Sequence, residues 1–174
     1  VDYIELNDAD INLNDAVTKQ TLAIKDLLLT AKNVALNSES FPLSARGVIN
    51  VKQPNMPELS TAFEFTSNVA VDEAVNAISM KDAKLLATLT GEASQKVDLV
   101  WNMQLTLEPF AYDGDVRLAP VNARKALAVI GETLPSTQSP SAFSKVGFNA
   151  LVSGSDNAFK AKDLTLVLDD STFK

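Results

Sequence analysis

Histidine and cysteine are both absent from the 174-residue sequence. Without histidine the chain lacks the commonest general base and the commonest metal ligand, and it cannot form a Ser-His-Asp triad. Without cysteine it lacks disulfides, thiolate nucleophiles and cysteine-ligated zinc sites. We therefore expect a protein that is not an enzyme, with no catalytic residue, no cofactor and no metal.

Other features are scarce rather than absent. Aromatic residues make up 6% of the chain, and no apolar run approaches the ~20 residues of a membrane helix. The formal net charge is −7, which argues against nucleic acid as a partner. The sequence opens on Val1 and stops in a strand-like run at Lys174. We expect a single module, residues 1–174, taken from a longer protein.

Alternation of apolar and polar residues is the dominant pattern. Between Lys96 and Leu107, apolar side chains occupy almost every second position, as in a strand with one buried face. The same period appears in 43–51, 59–71, 146–152 and 164–168. These patterns predict a mainly β (β-rich α+β) fold, a long, curved, largely antiparallel strand meander.

One segment has helical character. Asn122 is suited to an N-cap, Leu127 and Ile130 share a helical face, and Gly131 suits a left-handed exit. Proline precedes this segment at Pro120 and follows it at positions 135 and 140. The sequence predicts one short helix near residues 121–132, within an insert of about 120–143.

A Lys-Asp dipeptide recurs in three similar strand-like contexts, at Asp26, Asp82 and Asp163. In the first and third copies the alternation changes phase at the dipeptide, which is typical of a β-bulge or a sharp bend. We interpret the copies as an internal repeat, with units 1–80 and 81–174 and the helix inserted in the second unit.

Several acidic clusters could mark turns or sites. We interpret Asn7-Asp8-Ala9 as a hairpin turn between two short strands, and Asp113-Gly114-Asp115 as a second hairpin turn. Asp169-Asp170 is expected to be a polar strand end or turn. Calcium at Asp8, Asp10 and Asp15 is the weaker alternative, because the glycine and distal glutamate of an EF-hand loop are missing.

Two stretches of the second half carry a family resemblance. The first is Leu118-Ala119-Pro120-Val121-Asn122-Ala123-Arg124-Lys125-Ala126-Leu127 with Leu134-Pro135, and the second is Leu168-Asp169-Asp170-Ser171. They resemble the Pro-Phe/Val-x-x-Arg-x-x-Leu helix, the Leu-Pro exit and the Leu-Asp-Asp-Ser strand of the AsmA family of Gram-negative bacteria. Asn33–Leu36 with Phe41-Pro42-Leu43 is similar to an earlier passage of that family. The helix insertion of the first unit is absent here.

The resemblance implies a function and a compartment. Family members look like periplasmic proteins anchored in the inner membrane, and they are associated with outer-membrane biogenesis. Their larger relatives resemble bridge-like lipid transfer proteins. For this chain the resemblance implies a periplasmic module of an inner-membrane-anchored parent. Its expected partners are phospholipid or lipopolysaccharide acyl chains and outer-membrane assembly components.

The candidate site is a group of large apolar side chains at alternating positions of two predicted strands: Phe63, Phe65, Leu99, Trp101, Met103 and Leu105. These residues suit either an ordinary core or an open apolar groove for acyl chains. With the resemblance, we expect a hydrophobic β-groove that faces lipid. The alternative function is a structural or protein-interaction module that adds a strand to a partner or to a neighbouring repeat.

Overall fold

The computed structural model describes residues 1–54, 58–90, 94–129, 131–134, 139 and 141–174. Its strands are β1 (Tyr3–Asp15), β2 (Gln20–Lys32), β3 (Phe41–Lys52), β4 (Leu59–Val71), β5 (Ala77–Leu89), β6 (Gln95–Thr106), β7 (Ala111–Val121), β8 (Val146–Ser155), β9 (Ala158–Leu168) and β10 (Ser171–Phe173). One helix, α1 (Ala123–Val129), lies between β7 and β8.

All ten strands belong to one sheet, and each strand pairs with the next in the chain. Every pairing is antiparallel, so the sheet is an uninterrupted meander. Because hairpin connections join antiparallel strands, this order needs no crossover. The mainly β fold predicted from alternation is confirmed. Residues 80 and 81, the expected limit between the repeat units, lie inside β5.

The helix begins and ends with the predicted signals. The side-chain oxygen of Asn122 accepts the Lys125 backbone N–H at 2.9 Å, which is an N-cap bond. At the other end Gly131 has a φ of 81°, and the Glu132 N–H donates to the Leu127 carbonyl at 2.9 Å. This left-handed exit is a Schellman arrangement. The helix begins later than position 121, because Val121 still belongs to β7 and pairs with Val146 of β8. Ile130, Pro135 and Pro140 lie outside the described residues.

All three Lys-Asp dipeptides lie in β-bulges. Asp26, Asp82 and Asp163 have φ values of 52°, 49° and 49°, in the left-handed region that Asp tolerates better than most residues. At each place two residues of the bulged strand oppose one residue of a neighbour. The apolar alternation also changes phase in the second copy. Met80 and Ala83 are an odd number of positions apart, yet they pair with Met103 and Trp101, which lie on one side of the sheet.

The two hairpin turns predicted from acidic clusters are wrong. Asn7-Asp8-Ala9 lies within β1, where Asp8 has a φ of 48° and the register with β2 shifts. Asp113-Gly114-Asp115 lies within β7, in continuous register with β6. Left-handed Asp and close-packed Gly occur both in turns and in strands, so the local residues do not distinguish the two.

The packed core is small. Its central cluster is Ala31, Phe41 and Val69, against which Val34 and Met80 also pack. Among the described residues, no large side chain is fully buried. Because an ordinary two-layer domain buries many large apolar side chains, these residues form a sheet whose faces have no complete second layer.

Candidate functional site

A single row of apolar residues crosses the entire sheet. It takes one residue from each strand, and each member is the Cα partner of the next. We call it the central row: Leu6, Leu29, Ala45, Phe65, Leu85, Leu99, Leu118, Phe148, Leu166 and Phe173. Nine strand spacings of ~4.8 Å give it a length of about 43 Å.

The rows beside it are also mainly apolar, and together they form what we call the apolar face. The next row on one side contains Ala83, Trp101, Val116 and Ala150, and the row after it contains Phe41, Val69, Met80, Met103, Gly114, Val152 and Ala161. An extra residue in a strand would turn every later side chain to the opposite side. The bulge absorbs the extra residue at Asp26, at Asp82 and at Asp163. Apolar side chains therefore stay on the same face before and after each bulge.

The structure places all six predicted residues on the apolar face. Phe65 and Leu99 belong to the central row, and Trp101 is the partner of Ala83. Phe63 lies opposite Gly47 and Ala87, while Met103 and Leu105 follow along β6. Each of the six is half-buried, as are the eight inner members of the central row. These side chains therefore pack sideways on their neighbours and keep part of their surface accessible.

Two of these aromatic rings meet across an intervening strand. The Phe65 and Trp101 rings stack with centroids 5.6 Å apart, and we call them the aromatic pair. They belong to β4 and β6, which β5 separates. Ala83 of β5 is 0% exposed and is the cross-strand partner of Trp101. The small side chain of Ala83 leaves room for the two rings to approach each other, which offset stacking favours.

Glycine permits a similarly close approach at Gly114. A Cβ atom built there would overlap the carbonyl oxygen of Asn102 on β6 and would lie 3.0 Å from the Met103 Cα. Because β6 comes this close, only a residue without a Cβ fits at this position. This explains a glycine in the middle of β7, where glycine otherwise weakens a strand. Sequence reasoning missed both Gly114 and Ala83 as part of the face, because small residues give no hydrophobic signal. Only the strand register identifies them.

The opposite face of the sheet, which we call the polar face, carries the charged side chains. Lys84 and Asp98 form an ion pair of 3.4 Å that is well exposed to solvent, so it contributes little stability. A depression of about 420 Å³ on this side is lined by Arg46, Glu64 and Lys96 among others. Val48, Ala62 and Leu86 stand between these charged side chains in its wall, whereas the central row contains no polar side chain.

No carboxylate cluster forms a metal site in the part of the chain that the structure describes. Asp8 and Asp10 are strand residues rather than loop residues, and Asp10 accepts the backbone N–H of Asp26 at 3.2 Å. Asp15 ends β1 and accepts the backbone N–H of Val17 at 2.8 Å. These carboxylates therefore stabilise a bulge and a turn.

Asp169 has a structural function in the turn between β9 and β10. Its carboxylate accepts the backbone N–H groups of Phe143, Ser144 and Lys145 at 2.8–3.1 Å. The Phe143 N–H is the main cause that holds the pKa of Asp169 below its usual range, with the bonds from Ser144 and Lys145 adding to it. The interaction fixes the end of the inserted segment to the end of β9.

No family model, no curated protein and no solved structure matches this chain. Among the described residues there is also no helix long and apolar enough to cross a membrane. The membership of the AsmA family expected from the motifs therefore stays a prediction.

Proposed function

We propose that the chain is a non-enzymatic module that binds lipid acyl chains on its apolar face. In an AsmA-like parent protein of the periplasm, the module would support outer-membrane assembly by holding phospholipid or lipopolysaccharide acyl chains. The observation that carries the proposal is the central row. One apolar residue from each of ten strands forms a continuous surface, and the described residues provide no complete second layer over it.

The dimensions and chemistry of this surface favour an extended apolar ligand. An acyl chain about 20 Å long fits within the ~43 Å of the central row. Each methylene that leaves water contributes about 0.8 kcal/mol, so a chain binds without a charged anchor. Immobilising the flexible ligand opposes binding, so only part of this free energy becomes affinity.

Lipid binding can be measured through Trp101, which is the only tryptophan of the chain and lies on the apolar face. We expect a phospholipid with brominated acyl chains to quench Trp101 emission, because bromine quenches only at short range. The non-brominated lipid should bind without quenching and shift the emission to shorter wavelength. Native mass spectrometry of the purified protein should also detect bound lipid.

A matched control moves the tryptophan to the opposite face. Val100 neighbours Trp101 in β6 and pairs with Lys84 and Arg117 on the polar face. In the double variant Trp101→Leu, Val100→Trp, brominated lipid should bind with little quenching. Equal quenching in both proteins, or no lipid binding by either, would refute an acyl site on the apolar face.

A further inference from the structure

The first edge of the sheet is acidic and has an exposed apolar side. β1 contains Glu5, Asp8, Asp10 and Asp15 and neither lysine nor arginine. On its other side Ile4, Leu6, Ile11 and Leu13 are each at least 40% exposed. Among the described residues, β1 pairs only with β2, so the backbone groups on its outer side are free to bond another strand.

The last edge of the sheet has the complementary character. β10 pairs with Leu166–Leu168 alone, which leaves Ala158–Thr165 of β9 with no outer neighbour in the part of the chain that the structure describes. Lys160 and Lys162 are exposed in this free stretch beside one exposed carboxylate, Asp163, so lysine outnumbers acid two to one. Phe159 is 68% exposed on the opposite side. A hollow of about 870 Å³ lies here, lined by Ala161–Leu166 with Phe173 and Lys174.

We propose that a second copy of this chain docks here, with its β1 edge against the free stretch of β9. The polar side of β1, with Glu5 and Asp10, then meets the polar side of β9, with Lys160 and Lys162. The apolar side of β1 continues the apolar side of β9. Backbone bonds form the pairing, and the charges select it. The proposal goes beyond lipid binding and does not depend on it.

Charge excludes the symmetric pairings. Two β1 edges would place carboxylates against carboxylates, and two β9 edges would place lysines against lysines. In the unlike pairing with the apolar faces aligned, the incoming β1 runs parallel to β9, because both are odd strands of an alternating sheet. Such a head-to-tail contact does not close on itself, so copies add in a row and the apolar face lengthens with each.

Sedimentation velocity over a dilution series at low and high salt tests the proposal. We expect association at low salt that weakens as salt rises, because the selecting charges are exposed. The variant Lys160→Glu, Lys162→Glu should associate about tenfold more weakly or not at all. The variant Lys81→Glu, Lys96→Glu has the same charge change on inner strands and should associate more strongly than the β9 variant.

A mixing experiment distinguishes edge pairing from a general effect of charge. The variant Glu5→Lys, Asp10→Asn, Asn12→Lys removes two of the four carboxylates of β1 and adds two lysines, so the net charge of the strand changes from −4 to 0. The side-chain amide at position 10 keeps an oxygen for the Asp26 N–H. Alone, this variant and the β9 variant should each lose association, and their mixture should regain it. Circular dichroism should show that each remains folded. A wild-type chain that is monomeric at every concentration, or a mixture that does not regain association, would overturn the proposal.

Discussion

The bulge at Asp82 offers a sharp test of how the apolar face is maintained. Asp82 has a φ of 49°, a conformation that costs an ordinary L-residue roughly 1–2 kcal/mol and a β-branched residue more. Its backbone N–H donates to the Asn102 side chain at 2.8 Å, and this bond survives substitution of the Asp82 side chain. We expect Asp82→Val to lower the free energy of unfolding by about 2 kcal/mol. Asp82→Asn and Asp82→Gly should stay within about 0.5 kcal/mol of wild type.

Deletion of Asp82 completes this test. In the wild-type sheet, two residues of β5 oppose the single residue Ser67 on β4, and two oppose the single residue Asn102 on β6. After the deletion one residue of β5 opposes each of them, so the pairing with both neighbouring strands becomes regular. Met80 and Ala83 stay on the apolar face. We therefore expect the deletion to cost less stability than Asp82→Val. Urea unfolding followed by Trp101 fluorescence measures all four variants. The reasoning is refuted if Asp82→Val is as stable as wild type, or if Asp82→Gly loses as much stability as Asp82→Val.

Four further predictions follow from individual contacts. Ala83→Leu should separate the aromatic pair and lower stability by about 1–3 kcal/mol, with a changed near-ultraviolet circular dichroism spectrum; an unchanged spectrum would contradict it. Gly114→Ala should destabilise the sheet by at least a similar amount in urea unfolding, because its Cβ meets backbone. Asn122→Ala should cost about 1 kcal/mol by loss of the helix cap, and Asn122→Asp should not. The lowered pKa of Asp169 gives stability that is present above the ordinary pKa of Asp and is lost as pH falls through the folded-state pKa. Asp169→Asn should therefore reduce the acid dependence of the unfolding midpoint below about pH 4, and an unchanged pH profile would contradict this.

The strands could be predicted from the sequence because alternation is a local property. Residues 96–107 predict β6 almost to its observed limits, Gln95–Thr106. The Lys-Asp dipeptides predicted bulges for a physical reason, since the apolar phase must be restored after an inserted residue. The helix was recognisable from Asn122 and Gly131, whose capping functions depend on neighbours in the sequence.

What the sequence could not provide is the register between strands. The central row joins Leu6 to Phe173 through nine separate pairings, and none of these pairings follows from periodicity alone. The same limitation made Asn7-Asp8-Ala9 and Asp113-Gly114-Asp115 look like hairpin turns. Whether a left-handed Asp turns the chain or bulges a strand depends on the partner strand, which the local sequence does not specify.

The most direct test of an open, lipid-binding face is a scan along β6. Because the chain has no cysteine, single-cysteine variants at positions 99–104 can each carry one spin label. Without lipid, a water-soluble relaxation agent should reach labels on both faces. With lipid, accessibility should fall at 99, 101 and 103 and stay unchanged at 100, 102 and 104. Two results would contradict an open apolar face. One is a lipid-induced loss of label accessibility that does not alternate between successive positions, and the other is labels at 99, 101 and 103 that are inaccessible before lipid is added.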